Sequence, residues 1–327
     1  MTTFKEISGK LIRTLATDPT PASNYEGQIW YNSTIGVLKG STFTAAAWSS
    51  GGALGTARND LGGSGTRSAA LAAGGSAGGG SNATEEYNGT SWSPGGNLNT
   101  ARYGLGVAGT QTSSIAAFGY GPPGGLPAST TSEDYNGSTW TNSGNVNTLR
   151  YGVGDAGTQT SAVMFAGQGT APLGPDNNSI NTEEYNGSAW TSVNNMNSHR
   201  RYIAGCGTQT SALGAGGYGP NPGGANSTIS EEYDGTSWTS GNPLVNGRML
   251  NAAVGDTSNA LIFGSPTTTE SYDGTSWTNT SSPLAFGQIR CASAAGVTDA
   301  LAISGGPGSA TSEFNPSSIT TKTLTTS

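Results

Sequence analysis

Charged side chains make up only 10% of the 327 residues, histidine occurs once and cysteine twice, and each scarcity removes a class of chemistry. A single imidazole, His199, excludes a copper or zinc site built on several histidines, and it leaves a Ser-His-Asp triad only if His199 itself belongs to it. Next to Arg200 at the start of a strand, His199 reads as an exposed loop residue. Cys206 and Cys291 fall in strands two repeat units apart, beyond disulfide reach, so both read as buried free thiols. No run approaches the roughly 18 consecutive apolar residues of a membrane span. The opening Met1-Thr-Thr-Phe-Lys-Glu-Ile lacks the apolar core of a secretion signal, so synthesis in a cytoplasm is expected. A net charge of −7 and a pI near 4.7 argue against nucleic acid as a partner, because phosphate binding needs a basic surface. Glycine-rich stretches such as Gly74-Gly-Ser-Ala-Gly-Gly-Gly precede no Gly-Lys-Ser/Thr and no helix, which removes the phosphate-loop reading. Nothing in the residues calls for a metal or a cofactor.

What is present is a repeat. Fifty-three glycines would suggest low complexity if they were aperiodic, but here they stand in register. Glu85-Glu86-Tyr87-Asn88-Gly89-Thr90-Ser91-Trp92 returns with constant spacing as Tyr87/Trp92, Tyr135/Trp140, Tyr185/Trp190, Tyr233/Trp238 and Tyr272/Trp277, with a degenerate copy at Phe314/Ile319. Asn-Gly or Asp-Gly after the Tyr predicts a two-residue type I′ hairpin. In that register Tyr87 faces Thr90 and Glu85 faces Trp92, which leaves Tyr and Trp as diagonal neighbours on one buried face.

An arginine follows each Trp after ten residues, at Arg58 (from Trp48), Arg102, Arg150, Arg200 and Arg248, and after a longer interval at Arg290. Each Arg opens a small-residue run. In several units the run ends in a turn, Gly-Thr-Gln-Thr-Ser at 109–113, 157–161 and 207–211, and an apolar run such as Ala162-Val-Met-Phe-Ala-Gly follows. Each unit therefore reads as a four-stranded antiparallel meander and the chain as all-β.

The order Arg, apolar strand ending in Gly, Tyr, then Trp resembles the kelch repeat over roughly residues 48–319, although the paired glycines are complete only at Gly74-Gly75, Gly216-Gly217 and Gly305-Gly306. That resemblance implies a β-propeller of radial four-stranded blades. Counting Phe314/Ile319 as a unit with its own fourth strand predicts seven blades, the seventh from the N-terminal strands; six, with the Trp48 strand completing the last, is the alternative. Residues 1–24, which include Asp18-Pro-Thr-Pro, read as an attachment arm or edge strand, and 25–327 as the propeller. Gln28–Tyr31 against 37–39 reads as a hairpin, with a third strand at Phe43–Trp48. The opening Gly27-Gln-Ile-Trp-Tyr-Asn-Ser-Thr-Ile-Gly-Val-Leu-Lys-Gly is similar to the start of virion structural proteins of marine bacteriophages, kelch-like ones included. It implies a virion location, with other virion proteins held through the arm, and homo-oligomerisation is compatible with it.

The repeated Arg invites comparison with the carboxylate-binding arginines of sialidases. A site is a local departure from symmetry, however, and this Arg is the symmetry. The Glu two residues before each Tyr recurs with it, so an Arg–Glu pair between blades is the expected scaffold. Asp60, Asp155, Asp176 and Asp256 break the repeat and keep a glycan-cleaving site in view; Asp155 and Asp256 read as turn residues. The units differ most between strands two and three, at 119–131, 167–181 and 217–230, where Pro/Gly/Asn-rich loops present Tyr120, Leu126, Gln168, Leu173, Tyr218 and Asn221 with Asp176 as their one charge. These loops are the expected contact for a host-surface glycan or protein. The function expected is a non-enzymatic, surface-exposed virion protein of a tail fibre or baseplate, with capsid decoration and a glycan-cleaving propeller as alternatives.

Overall fold

The computed structural model describes residues 12–19, 28–121, 130–169, 177–219, 225–265, 267–280, 282–284, 292–294, 296–303 and 309–324. Its regular elements are β-strands, and none of the described residues forms a helix long and apolar enough to cross a membrane. The chain divides into two compact units, Trp48–Asn315 and a smaller one made of Met1–Ala47 with Pro316–Ser327, a different partition from the expected 1–24 and 25–327.

The larger unit is a β-propeller built from four-stranded antiparallel blades. Five consecutive blades take their strands from 62–94, 106–145, 154–193, 204–240 and 252–279, each in chain order from the inside out. The last sheet has Ala292–Ala294, Leu301–Ile303 and Thr311–Asn315, and its fourth strand is Ala47–Ser50. First strands adjoin one another in chain order, and Ala292–Ala294 lies beside Gly62–Thr66.

The Phe314/Ile319 copy was expected to own its fourth strand, and the structure does not give it one. Strand Ser318–Thr323 pairs with Val37–Thr44 in the smaller unit, and the Trp48 strand takes the place it was expected to fill. A single residue explains the switch. In the five regular copies the residue two after the Tyr is a glycine with φ between 85° and 90° (Gly89, Gly137, Gly187, Gly235, Gly274). In the sixth copy that residue is Pro316, whose ring holds φ near −65° and forbids the turn.

The hairpin register also differs from the expected one. Tyr87 pairs directly with Trp92, as do Tyr135 with Trp140, Tyr185 with Trp190, Tyr233 with Trp238 and Tyr272 with Trp277. Asn88 is not in the left-handed region a type I′ turn needs. Its side-chain Oδ1 instead accepts the Thr90 and Ser91 N–H groups at 3.0 and 2.9 Å, which makes a four-residue loop. Direct pairing still puts both rings on one face, with centroids 4.8–5.1 Å apart across the five pairs.

That face packs against the preceding blade. Leu71, Ala73 and Leu98 meet Leu105, Tyr135 and Trp140 in one buried cluster. Three polar clasps tie the same interface. Trp140 Nε1 donates to Thr84 Oγ1 at 3.0 Å, Tyr135 Oη donates to Glu86 at 2.5 Å, and Gln111 Nε2 donates to the Ala70 and Tyr87 carbonyls at 3.1 and 2.7 Å, as Gln159 Nε2 does to the Ser114 and Tyr135 carbonyls at 3.2 and 2.7 Å one blade on. The first clasp recurs from Trp48 to Thr269 at 3.0 Å, and from Trp92 to Thr311 at 3.0 Å. Trp48 thus holds the position of a blade's Trp. Arg67 stands where later blades carry Gln, and it donates to the Phe314 carbonyl at 3.0 Å between the first and last sheets.

The Arg–Glu pairs lie within each blade, not between blades as expected. Arg58–Glu85 and Arg150–Glu183 are 3.0 Å apart, Arg200–Glu231 is 2.8 Å, Arg248–Glu270 is 2.5 Å, and Arg102 pairs with Glu133. Their side chains are almost completely buried. The guanidinium of Arg150 also donates to the Ala166 and Asn181 carbonyls at 2.7 Å each. The carboxylate of Glu183 accepts the Asn147 N–H at 2.7 Å, which anchors the segment arriving from the previous blade. Arg290 lies outside the described residues.

In the smaller unit Ile29–Asn32 pairs antiparallel with Val37–Thr44, as expected of a hairpin, and Arg13–Leu15 adds a parallel edge strand. Asp18 accepts from Trp30 Nε1 at 3.1 Å and Asn32 Nδ2 at 2.9 Å, and these bonds hold its carboxyl below the usual range. Val37–Thr44 absorbs part of the expected third strand, and Ala47–Ser50 is separate from it.

Candidate recognition site

One residue after Arg58, Arg102, Arg150 and Arg200, the chain forms a short rung with the residue that leaves strand two. The rungs are Asn59 with Ser76, Tyr103 with Tyr120, Tyr151 with Gln168, and Arg201 with Tyr218. Two residues after the Arg the backbone turns left-handed, at Asp60, Gly104, Gly152, Tyr202 and Leu250. The last four of these donate their N–H groups to the carbonyl of the counterpart one blade earlier. The bonds are 2.7 Å from Gly104 to Asp60, 2.7 Å from Gly152 to Gly104, 2.7 Å from Tyr202 to Gly152, and 3.1 Å from Leu250 to Tyr202. This string of backbone hydrogen bonds fixes where the rungs stand relative to one another.

In blades two to four the rungs become aromatic. Tyr103 and Tyr120 have centroids 5.5 Å apart, Tyr120 and Tyr151 5.5 Å, Tyr103 and Tyr151 6.4 Å, and Tyr151 and Tyr202 6.1 Å. The Arg201 guanidinium lies 4.5 Å above Tyr218 and 5.9 Å from Tyr202, and it donates to Asn178 Oδ1 at 3.1 Å. Tyr151 donates its hydroxyl to Gln168 Oε1. The five tyrosines, Gln168 and Arg201 are half-buried, so ring surface remains open to solvent, while Asn178 is buried. Burial is the main cause that pushes the Tyr151 hydroxyl up, with Arg201 opposing it. Gly152 is required beneath Tyr202, because a Cβ there would stand 2.8 Å from the ring.

Of the residues expected to bind, Tyr120, Gln168 and Tyr218 belong to this surface, while Leu126, Leu173 and Asn221 lie outside the described residues. Tyr103, Tyr151, Arg201 and Tyr202 complete the surface and escape the loop-based reading. Their signal in the sequence is the residue after the repeat Arg, in Arg102-Tyr103, Arg150-Tyr151 and Arg200-Arg201-Tyr202.

The remaining singular residues separate cleanly. Asp256 is a turn residue, as expected: its Oδ1 accepts from the Ser258 hydroxyl at 2.6 Å and from the Ser258 and Asn259 N–H groups at 2.7 and 3.0 Å, which holds its carboxyl low. Asp155 is not a turn residue but stands in first strand Gly154–Thr158 and lines the axial cavity. Asp176 and Cys291 lie outside the described residues, and Cys206 is a buried free thiol. His199 is half-buried rather than exposed, its Nδ1 3.1 Å from the Asn178 carbonyl. Among the described residues, no group of three His, Cys, Asp or Glu side chains could hold a metal.

No protein-family model matches this chain, and no curated protein matches it.

Proposed function

We propose that the protein is a non-enzymatic recognition module of a phage virion, with the tyrosine surface of blades two to four as its contact for a host-surface glycan or protein. The observation that carries the reading is the joined set of half-buried rings, Tyr103, Tyr120, Tyr151 and Tyr202, on a framework whose repeated Arg and Glu side chains are already paired with one another. Fixed ring faces with hydroxyls at their edges suit neutral polar ligands. They offer stacking area and hydrogen bonds at little entropic cost, and no isolated charge must be desolvated. Arg201, stacked on Tyr218, fits the same use because its guanidinium plane acts as a further stacking surface.

The virion setting rests on the N-terminal resemblance, and the fold supplies only the platform. The test is to shorten 119–131 and 217–230 to the length found in the fifth unit and to measure host-cell adsorption of virions carrying the altered protein. Lost adsorption with an unchanged melting curve is expected. Unchanged adsorption leaves the decoration role in its place. Release of reducing ends from host polysaccharides by the wild-type protein would overturn the non-enzymatic reading.

A further inference from the structure

The first strands of blades one to five enclose three cavities that follow one another along the axis. The outer two are about 140 and 60 Å³, and the middle one is about 80 Å³. Asp155 lines the middle cavity and the larger outer one, and Asn251 lines the middle cavity and the smaller outer one. At the level of Asn251 the other four blades contribute Leu61, Leu105, Val153 and Ile203, so a collar of aliphatic side chains is broken by one amide. At the level of Asp155 the neighbouring first strands carry Gly63, Val107, Gly205 and Ala253. Among the described residues lining the middle cavity, Asp155 alone carries charge and Asn251 alone has a neutral polar side chain.

Both residues are costly where they are. Asn251 is 6% exposed, and neither its Oδ1 nor its Nδ2 has a hydrogen-bond partner. A buried amide with both ends unmet loses the hydrogen bonds it had in water, and such groups in native proteins mark a water, an ion or a ligand. Asp155 is half-buried and lines two of the cavities. Burial is the dominant influence on its carboxyl, which is pushed up to about 7 despite a Val107 N–H that favours the ionised form. A volume near 80 Å³ is several times what one water needs.

We infer that the axial cavity is a binding site for one monovalent cation of the size of Na⁺ or K⁺, held by the Asp155 carboxylate and the Asn251 amide oxygen with water completing its shell. Charge balance selects the valence. One carboxylate neutralises one positive charge, whereas a divalent ion would leave a net charge in a site walled by glycine, alanine and aliphatic side chains. The larger outer cavity, lined by Ser64, Cys206 and the glycines of the inner turns, is the path in.

The competing occupant of the carboxylate is a proton. The other titratable groups around this end of the channel do not change state near neutrality: burial, with Asp155 and Asp256, pushes the Cys206 thiol well up, and Asp256 is held low by Ser258. Asp60 lines the far cavity.

The test is thermal melting of the full-length chain at pH 8 in NaCl or KCl against tetramethylammonium chloride at equal ionic strength. The methyl groups of that ion keep its charge away from both oxygens. A rise of several degrees in Na⁺ or K⁺, absent in Asp155→Asn, is expected. Equal melting in all three salts, or a response that survives in Asp155→Asn, would overturn the site. So would a response to CaCl₂ alone. Should Asp155→Asn fail to fold, wild-type crystals soaked in thallium(I) acetate decide: an anomalous peak between Asp155 and Asn251 supports the site, and an empty cavity refutes it.

Discussion

The blade interfaces and the axial end of the propeller use the repeat in opposite ways. At the interfaces most described units place the same groups in the same roles: a Trp on a hydroxyl of the preceding blade (Trp277, whose Nε1 has no partner, is the exception), a Tyr on an acid of the preceding blade (with Phe314 in the sixth copy), and a buried Arg on a Glu of its own blade. At the axial end the equivalent positions hold different residues, such as Asn59, Tyr103, Tyr151 and Arg201 on the rungs, or Gly63, Val107, Asp155, Gly205 and Ala253 in the channel. Where units must pack alike, a departure opens a cavity or strands a buried polar group. Where the chain faces a cavity or solvent, departures cost little and are free to carry recognition.

Breaking the repeated side should give the largest effects. Arg150→Ala leaves the Glu183 carboxylate buried without its counter-charge, and a loss of about 3–5 kcal/mol is expected in equilibrium denaturation. Any glycan binding by the fraction that stays folded should persist. Trp140→Ala removes a large buried ring and its bond to Thr84, again for about 3–5 kcal/mol; a loss under about 1 kcal/mol would mean that the ring does not hold two blades together. Gln159→Ala removes two bonds to carbonyls of the preceding blade and should cost about 1–2 kcal/mol, readable as a shift of the denaturation midpoint at constant slope.

The axial side responds to pH instead. Because the folded state raises the Asp155 carboxyl from 3.8 to about 7, the native protein binds the proton more tightly than the unfolded chain does. Its contribution to stability is therefore most favourable below about pH 4, falls as pH rises to about 7, and is flat beyond. Asp155→Asn should accordingly match the wild type near pH 4 and exceed it near pH 8 in low-salt buffer free of small cations. Paired denaturation curves at the two pH values check the sign, and a difference that does not change with pH would contradict it.

The sequence made this division partly readable. The Tyr, Trp and Arg spacings announce the blades and the all-β fold, because packing at a repeated interface enforces identity of residue and interval. The hairpin register was not readable, since Asn-Gly also suits a turn in which the Asn side chain accepts the backbone N–H groups. The place of the last strand turned on Pro316: the Phe314/Ile319 interval mimics a complete unit, and only the positive φ of the other five turns shows why this one cannot form. The partners of the two acids before each Tyr follow from three-dimensional neighbours. One acid serves its own blade's Arg and the other the next blade's Tyr. Half of the tyrosine surface was hidden in Arg-Tyr dipeptides that read as strand starts, because the chain turns left-handed right after them and lifts these rings to the rim.

The smallest stability change and the largest functional one should coincide in a single variant. Tyr120→Ala combined with Tyr151→Ala removes two half-buried rings from the rim and leaves every clasp between blades in place. Binding to host-surface glycans and the melting temperature should be measured together on this variant, with Gln159→Ala alongside. Binding should be lost at a nearly unchanged melting temperature in the double variant, and kept at a lowered one in Gln159→Ala. Full binding by the double variant would contradict the assignment of recognition to the departures from the repeat.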